Sequence, residues 1–441
     1  MGPAEHQRAG EPALGPALPG VRGILANAGW LYLDQGVRAT ASLVTFGFIA
    51  RALGPTGFGV LSYALAFPGI FLPLAALGLD YVLVQEFVRQ PDRQAAIFST
   101  GLGLKSAGTA SALVLCSAAG FWLVPAETPA KPLLIVTGLS LALQPAQIID
   151  CCFQSRIASK HVALARMGAN LVANGVRVWM AVTSAPLLGY AWAYVLEAVL
   201  LTFGLIRAYR VQDGWQPFQL AAFSPTIARR LIAEAWPLFL ADVAIAIYLR
   251  LNQVLLEHLA GADALGRYAA AMRVADALEF LPLAVIGSYF PHIVALHQER
   301  KEGADPQLRR FFSWMTWLAI LLAAGVTLTG RWVVGVVMGA QFVAAIPLLV
   351  ALVWANVFAT QVAVRGRWFL ARGLQVYTLL FFALGAVVHL ALLFLLAPTW
   401  GAVGAAAAYL ISQTTMALVL PFAWRKSRPA GQIAWASLVP L

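Results

Sequence analysis

Residues 31–70 read LYLDQGVRATASLVTFGFIARALGPTGFGVLSYALAFPGI, and this stretch decides the fold class. It contains two apolar runs separated by a short break with glycine and proline, and the first run begins with Asp34 and Arg38. Such runs recur from Leu25 to Trp424, each with the roughly 20 residues needed to cross a bilayer. Because lipid offers the backbone no hydrogen-bond partner, a spanning chain forms helices or a closed barrel, and these runs lack the alternation of barrel strands. The sequence therefore predicts an all-α integral membrane protein.

The composition assigns most of the chain to a lipid environment. Hydrophobic residues make up 61% of the 441 positions and charged residues 11%, whereas soluble domains are about half apolar and about one-quarter charged. The formal net charge is +11, but Lys and Arg are dispersed between the apolar runs, which argues against a nucleic-acid partner. The three cysteines lack metal-ligand spacing, and we expect no metal and no cofactor.

Twelve apolar segments have the length of membrane-spanning helices. The first six are predicted at residues 25–51, 57–83, 96–124, 132–154, 161–184 and 187–208. The second six are predicted at residues 230–258, 264–295, 310–338, 343–364, 374–397 and 401–424. The predicted domains are an N-terminal tail at 1–23, a six-helix lobe at 24–210, a linker at 211–228, a second six-helix lobe at 229–424 and a tail at 425–441.

Basic residues are distributed unevenly between the two sides of this predicted bundle. The loops on the side of the termini hold most of them, whereas the opposite side holds at most Arg51, Lys131, Arg267 and Arg331. Short cytoplasmic loops of membrane proteins are enriched in Lys and Arg. We therefore expect a multi-pass protein with both termini, and the linker, in the cytoplasm.

The two halves of the chain share spacings that indicate an internal repeat. Two pairs of glycines five residues apart correspond, Gly54 with Gly59 and Gly261 with Gly266. Later in each half, a second set corresponds at one internal spacing: Gly189, Ala193 and Tyr194 with Gly404, Ala408 and Tyr409. A chance match between glycine- and alanine-rich segments is the alternative, but repeats are common in transporter folds.

Ionisable residues lie inside the predicted spans, where a charge is costly and usually faces the bundle interior or a water-filled cavity. The cations, on five different segments, are Arg38, Lys105, Arg177, Arg250 and Arg273, and the acids are Asp34, Asp242, Asp276, Glu279 and Glu197. Cations from several helices predict a positively charged cavity for an anionic substrate, because guanidinium groups pair with phosphate through a bidentate fork. The alternative is that charges such as Asp34 and Arg38, or Arg273 and Asp276, neutralise each other as packing pairs.

The most specific motif is ALGPTGFG, within ARALGPTGFGVLSYALAF at residues 50–67. Supporting segments are ALGLDYVLVQE at 76–86, YLRLNQVLLEHLAGADALGRYAAAMRV at 248–274 and GAVGAAAAYLISQ at 401–413. In this order the segments resemble the polysaccharide-unit flippases, which are the O-antigen and exopolysaccharide exporters of the multidrug/oligosaccharidyl-lipid/polysaccharide (MOP) exporter superfamily. The resemblance extends over nearly the whole chain.

This resemblance implies a MATE-like fold, with two six-helix lobes around a central cationic cavity, in the bacterial inner membrane. It implies a flippase for an undecaprenyl-diphosphate-linked oligosaccharide of lipopolysaccharide or exopolysaccharide synthesis, beside a glycan polymerase and other assembly proteins. Arg38, Arg250 and Arg273 would then hold the diphosphate. Two positions depart from the family pattern, because Asn252 replaces an acid found in many relatives and His389 lies where an Asn-rich pattern is frequent. Coupling to protons or sodium therefore stays open.

Three other functions are compatible with a helical membrane protein. A drug antiporter of the same superfamily would share the architecture, but its cationic substrate favours an acidic cavity. A membrane glycan ligase or polymerase needs catalytic groups on a large external loop, and none of the predicted external loops is long. A lipid-binding structural protein does not account for the buried charges. A transporter, which requires no covalent chemistry and is not an enzyme, fits the sequence best.

Overall fold

A computed structural model describes residues 21–213, 222–299, 306–372 and 374–438. Within these ranges the chain is helical and contains no strand, which confirms the all-α prediction. The α-helices are α1 (Val21–Ala76), α2 (Leu79–Arg89), α3 (Gln94–Leu123), α4 (Ala130–Gly138), α5 (Ile148–Ser155), α6 (Lys160–Val182), α7 (Leu187–Asp213), α8 (Pro225–Ala246), α9 (Asn252–Glu299), α10 (Pro306–Val337), α11 (Ile346–Ala371), α12 (Gln375–Thr414) and α13 (Arg428–Ala436). Single π-helical turns at Ile247–Leu251 and Thr415–Val419 follow α8 and α12.

Eight helical segments in the described ranges are long and apolar enough to cross a membrane. Three of them contain a kink at a glycine with non-helical backbone, namely Gly54, Gly261 and Gly401. Dividing the segments at these kinks gives eleven helices. The 23-residue helix α6 is not among the eight segments. The prediction of a multi-pass membrane protein is confirmed, and the count of twelve spans stays a prediction.

The two halves of the chain bend at equivalent glycines. Gly54 has φ 66° and ψ 179°, and Gly261 has φ 84° and ψ 170°. Positive φ is accessible to glycine at little cost and is unfavourable for residues with a side chain. The same backbone conformation at these two matched positions supports the internal repeat.

The second glycine of each pair packs against the other. A Cβ added to Gly59 would overlap the carbonyl oxygen of Ala262 and lie 2.9 Å from the amide nitrogen of Gly266. Reciprocally, a Cβ added to Gly266 would overlap the carbonyl oxygen of Pro55 and lie 2.9 Å from the amide nitrogen of Gly59. Only glycine allows two backbones to approach this closely. The crossing of α1 and α9 at Gly59 and Gly266 is thus a symmetric junction between the two halves.

We call α1–α7 the first lobe and α8–α13 the second lobe, following the predicted division of the chain. Polar contacts join the two near the glycine crossing. The guanidinium of Arg51 donates a hydrogen bond to the carbonyl oxygen of Val336 in α10. The Gln341 side-chain amide donates to the carbonyl oxygen of Arg51 at 2.8 Å. The lobes therefore meet at the end of the molecule that carries the loops predicted to be external, and they also meet where two ion pairs, Arg89–Glu234 and Arg230–Glu86, join α2 to α8.

The C-terminal segment differs from the prediction of a simple tail at 425–441. Residues 428–436 form α13, which buries Ala430, Ile433 and Ala434 on one face. These positions are three and four residues apart, the spacing that gives a helix one apolar side. The Gln361 amide of α11 lies 3.2 Å from the Ser437 hydroxyl and donates to it. Of the predicted linker at 211–228, residues 214–221 lie outside the described ranges, residues 211–213 end α7 and residues 225–228 begin α8. The boundaries of the lobes stay a prediction.

We predict that Gly59→Ala lowers the thermal unfolding temperature of the purified protein in detergent. The added methyl group meets backbone atoms that no rotamer change can move, and overpacking of this kind costs about 1–3 kcal/mol. The control is Gly175→Ala in α6, where an added Cβ meets no atom within 4 Å. An unfolding temperature for Gly59→Ala equal to that of the control would contradict the close crossing.

Candidate functional site

A cavity of about 510 Å³ lies between α1, α6, α7 and α9, at the interface between the two lobes. We call it the polar chamber. Its polar lining comprises Gln35, Arg38, Ser42, Thr45, Ser62, Asn170, Asn174, Arg177, Tyr194, Glu197, Arg273 and Asp276. The structure thus brings three of the five predicted cations into one cavity, together with two of the five predicted acids.

Arg38 and Asp34 form a two-point ion pair on α1. Arg38 Nε lies 2.8 Å from Asp34 Oδ1, and Arg38 Nη2 lies 3.1 Å from Asp34 Oδ2. The Asp34 side chain is buried, whereas that of Arg38 is 38% exposed. Their spacing of four residues puts both on one helical face. Asp34 therefore fixes the guanidinium while leaving part of it open to the chamber.

Arg177 lies at the centre of a hydrogen-bonded network between α6 and α7. Its Nη2 donates to Glu197 Oε2 at 2.5 Å, and its Nη1 donates to Asn174 Oδ1 at 3.0 Å. The guanidinium carbon lies 3.7 Å from the centre of the Tyr194 ring, a cation–π geometry. Asn170 Nδ2 donates to the other oxygen of Glu197 at 2.8 Å. The Arg177 Nε atom is buried and has no hydrogen-bond partner within the described part of the chain.

Arg273 and Asp276 contribute the charges of α9 to the polar chamber. Both side chains are exposed to the cavity. Although their spacing of three residues allows a packing pair, neither forms an ion pair within 4.0 Å with any described residue. Arg273 is therefore the lining cation that is most available to an incoming anion.

Two other predicted cations lie outside the polar-chamber lining. Arg250 is in the π-helical turn that follows α8, and its side chain packs over Gly69 of α1, with Nε 3.4 Å from the position of a Cβ there. Lys105 is buried in α3 and forms an ion pair with Asp80 of α2. Neither Lys105 nor Arg250 belongs to the lining of the polar chamber, and the substrate-binding role expected for them stays a prediction.

Two predicted acids also lie elsewhere. Glu279 lines a smaller crevice with Pro282, Asn356 and Thr360. Asp242 of α8 is exposed, and it lines neither the polar chamber nor the second cavity described below. Asp34 touches the chamber only through Arg38.

The sequence analysis missed the neutral polar residues of the chamber. Asn170 and Asn174 precede Arg177 by seven and three residues on α6, so the three side chains share one helical face. Asn174 Nδ2 donates to Asn170 Oδ1 at 3.0 Å, which links them into a chain of hydrogen bonds. This spacing of amides and a cation within an apolar segment was the available signal.

A second, larger cavity of about 840 Å³ adjoins the polar chamber. Its walls come mainly from α8, α9, α11 and α12 of the second lobe and are mostly apolar, with Leu238, Ile245 and Leu379 among them. We call it the apolar chamber. Gln35, Phe280 and Leu283 line both chambers. The two spaces are therefore neighbours along α1 and α9.

The second lobe has a neutral counterpart of the Arg177 network. The offset that relates Gly189 to Gly404 also relates Asn170 to Gly385 and Glu197 to Ser412. Ser412 Oγ donates to the carbonyl oxygen of Gly385 at 2.8 Å, so the two matched positions are hydrogen-bonded in both lobes. The matched position of Asn174 is His389, which is fully buried with its ring 5.8 Å from that of Tyr409. The matched hydrogen bond is thus present in both lobes, whereas the carboxylate is present only in the first.

Three solved structures have a similar fold. A lipid II flippase, MurJ, in an inward closed conformation aligns with a TM-score of 0.70 at 14% identity, covering 94% of this chain and 91% of its own. An inward-facing multidrug resistance MATE family transporter of the MOP superfamily aligns at 0.64 with 16% identity, covering 91% and 96%. A MOP superfamily transporter from Pyrococcus furiosus aligns at 0.52 with 13% identity, covering 95% and 97%. At these identities the likeness is one of fold.

Sequence comparison gives the family. No curated protein sequence matches the chain significantly. A family profile described as "Polysaccharide biosynthesis protein" matches residues 24–297, which is more than half of the 441 residues. The chain therefore belongs to the polysaccharide biosynthesis protein family, and it has the MATE-like fold of the MOP exporter superfamily.

Proposed function

We propose that this chain is a flippase that moves a polyprenyl-diphosphate-linked oligosaccharide from the cytoplasmic to the outer face of a bacterial inner membrane. The observation that carries the proposal is the polar chamber with three arginines beside an apolar chamber of about 840 Å³. An amphiphile with an anionic head and a long apolar chain matches these two adjoining spaces. Membership in the polysaccharide biosynthesis family supports this substrate class, and the fold is shared with a lipid II flippase.

The diphosphate head group is assigned to Arg273, Arg38 and Arg177. Guanidinium groups form paired hydrogen bonds with phosphate oxygens and lose less than ammonium groups on leaving water. Arg273 has no ion pair within 4.0 Å among the described residues, and Arg38 keeps part of its fork exposed beside Asp34. Asn170, Asn174 and the lining hydroxyl groups can supply hydrogen bonds to the sugar.

The lipid chain is assigned to the apolar chamber. Its lining residues lie on the parts of α1, α8, α9 and α12 that are remote from the glycine crossing, for example Tyr32, Pro237, Gly287 and Leu379. By the distribution of basic loops, this half of the molecule faces the cytoplasm. The substrate would therefore enter from the inner leaflet, where lipid-linked oligosaccharides are assembled, and leave to a glycan polymerase on the other side.

Alternating access accounts for the contacts between the lobes. At the end predicted to be external, Gly59 packs on Gly266 and Arg51 is bonded to α10. Opening that end requires separating these contacts, and the repeat relation of the lobes suits a rocking motion about the central site. Transport in this scheme requires no bond to be made or broken in the substrate.

An ion-coupled drug antiporter of the same superfamily is the second candidate. The observation in its favour is Asp276, a chamber carboxylate without an ion pair within 4.0 Å in the described residues. Against it, three guanidinium groups line the same wall, and they repel a cationic substrate. The anionic substrate is the better match.

We predict that Arg273→Ala reduces glycan export about tenfold or more, because a hydrogen bond to a charged group contributes roughly 1.5–3 kcal/mol. The measurement is surface glycan in a flippase-deficient bacterial host at matched membrane levels. The control is Arg331→Ala, which removes an exposed arginine of α10 that lines neither chamber. Equal export by the two variants would exclude Arg273 from head-group binding.

We predict that Ala244→Trp blocks export while leaving the affinity for inorganic pyrophosphate unchanged. The indole would fill part of the apolar chamber, which Ala244 lines, whereas Arg38, Arg177 and Arg273 line the polar chamber, to which Ala244 does not belong. The control is Leu328→Trp on α10, where the side chain is 87% exposed and faces away from both chambers. Full export by Ala244→Trp would show that the lipid chain takes another route.

A further inference from the structure

In the polar chamber, the carboxylate of Glu197 occupies a donor of Arg177 that could otherwise bind a phosphate oxygen. Glu197 Oε2 accepts a hydrogen bond from Arg177 Nη2 at 2.5 Å. A carboxylate oxygen and a phosphate oxygen compete for the same guanidinium donors, because both are anionic acceptors of charge-assisted hydrogen bonds. Arg177 cannot give this donor to a ligand while Glu197 occupies it.

The burial of the two partners is unequal. The side chain of Arg177 is 4% exposed, whereas that of Glu197 is 27% exposed and lines the chamber. Removing the partner of a buried charge is strongly unfavourable unless a new anion takes its place. Arg177 therefore requires an anion at all times, while Glu197 can turn toward water in the chamber.

A released Glu197 would keep part of its present stabilisation. Asn170 donates to Glu197 Oε1, the oxygen that Arg177 does not use. Asn174 holds the other arm of Arg177 at 3.0 Å, and Tyr194 packs on the guanidinium face. Arg177 would thus stay fixed during an exchange of anions. Its Nε hydrogen, which has no acceptor in the described residues, gives a ligand one more donor to engage.

The second lobe has neutral residues at the positions that match Glu197 and Asn170. Ser412 and Gly385 are at the positions of Glu197 and Asn170 and are also hydrogen-bonded. Leu392 is at the position of Arg177, so the second lobe has the matched hydrogen bond but no ion pair. The ion pair is therefore specific to the lobe that supplies most of the polar chamber, which points to a role toward a ligand.

We propose that Glu197 is an internal counterion of Arg177 that a diphosphate head group displaces on binding. The proposal rests on the proposed function for its ligand class. Other charges around the pair are Arg38 on α1 and Arg273 and Asp276 on α9. In this arrangement Glu197 lowers the affinity for the anion, and it returns to Arg177 when the anion leaves. Glu197 is a positioning residue that acts through Arg177.

The test is a calorimetric titration of inorganic pyrophosphate into the purified full chain in detergent. Glu197→Gln keeps the size of the side chain and an acceptor for Asn170 but removes the competing charge, and we expect about tenfold tighter binding. Arg177→Gln should bind at least tenfold more weakly than the unaltered chain. A gain in affinity is a result that structural damage does not produce.

The control for net charge is Glu257→Gln, which removes a carboxylate near His258 that lines neither chamber. Its affinity should equal that of the unaltered chain, and a gain equal to that of Glu197→Gln would overturn the proposal. Where Glu197→Gln fails to fold, Glu197→Asp serves in its place. It withdraws the carboxylate by one methylene, and we expect a smaller gain.

The outcomes separate this proposal from the proposed function. If the unaltered chain binds pyrophosphate and Glu197→Gln binds no tighter, Glu197 is not a competitor and only this proposal fails. If only Glu197→Gln binds, the competition is confirmed in its strongest form. If neither binds, both the competition and the diphosphate assignment fail.

Discussion

The close crossing of α1 and α9 at Gly59 and Gly266 is the constraint on which the rest of the structure depends. It brings the backbones of the two halves into direct contact, without an intervening side chain. Helix α1 carries Arg38 before its kink at Gly54, and α9 carries Arg273 two turns after Gly266. Both arginines line the polar chamber, so the two helices that meet at the crossing bring charges from two lobes to one space. Side chains at the crossing would force the two helices apart and widen the chamber.

The internal repeat accounts for the matched backbone features of the two halves, and the differences between the halves account for the different linings of the two chambers. The two halves share glycines with positive φ and a matched hydrogen bond, which joins α6 to α7 in the first lobe and the two arms of the kinked helix α12 in the second. The first lobe nevertheless supplies most of the polar chamber, whereas the second supplies most of the apolar chamber. Two lobes of similar structure can move against each other, and one polar and one apolar chamber suit a substrate with an anionic head and an apolar chain. The proposed flippase requires both properties.

The sequence predicted the helical membrane class, the glycine equivalence and the presence of buried charge, because these follow from composition and spacing. It could not predict which charges converge. A membrane helix is apolar on all sides, so its periodicity does not reveal which face is turned inward. Lys105 shows the result, since its partner Asp80 is on another helix and no local spacing indicates the pair. Arg250 does not belong to the lining of the polar chamber, since it lies in a π-helical turn with its side chain over Gly69, and its role toward a substrate stays a prediction.

The pairing of the chamber cations with carboxylates affects how easily a transporter closes its empty cavity. Asp34 balances Arg38 and Glu197 balances Arg177, so the empty chamber contains few uncompensated charges. A cavity of unpaired arginines would bind an anion tightly but would be costly to close when empty, because a buried charge without a partner is strongly destabilising. A transporter must complete its cycle by returning without substrate. Internal carboxylates allow the lobes to close over an empty chamber. They also make substrate binding an exchange of anions, so the affinity stays low enough for release.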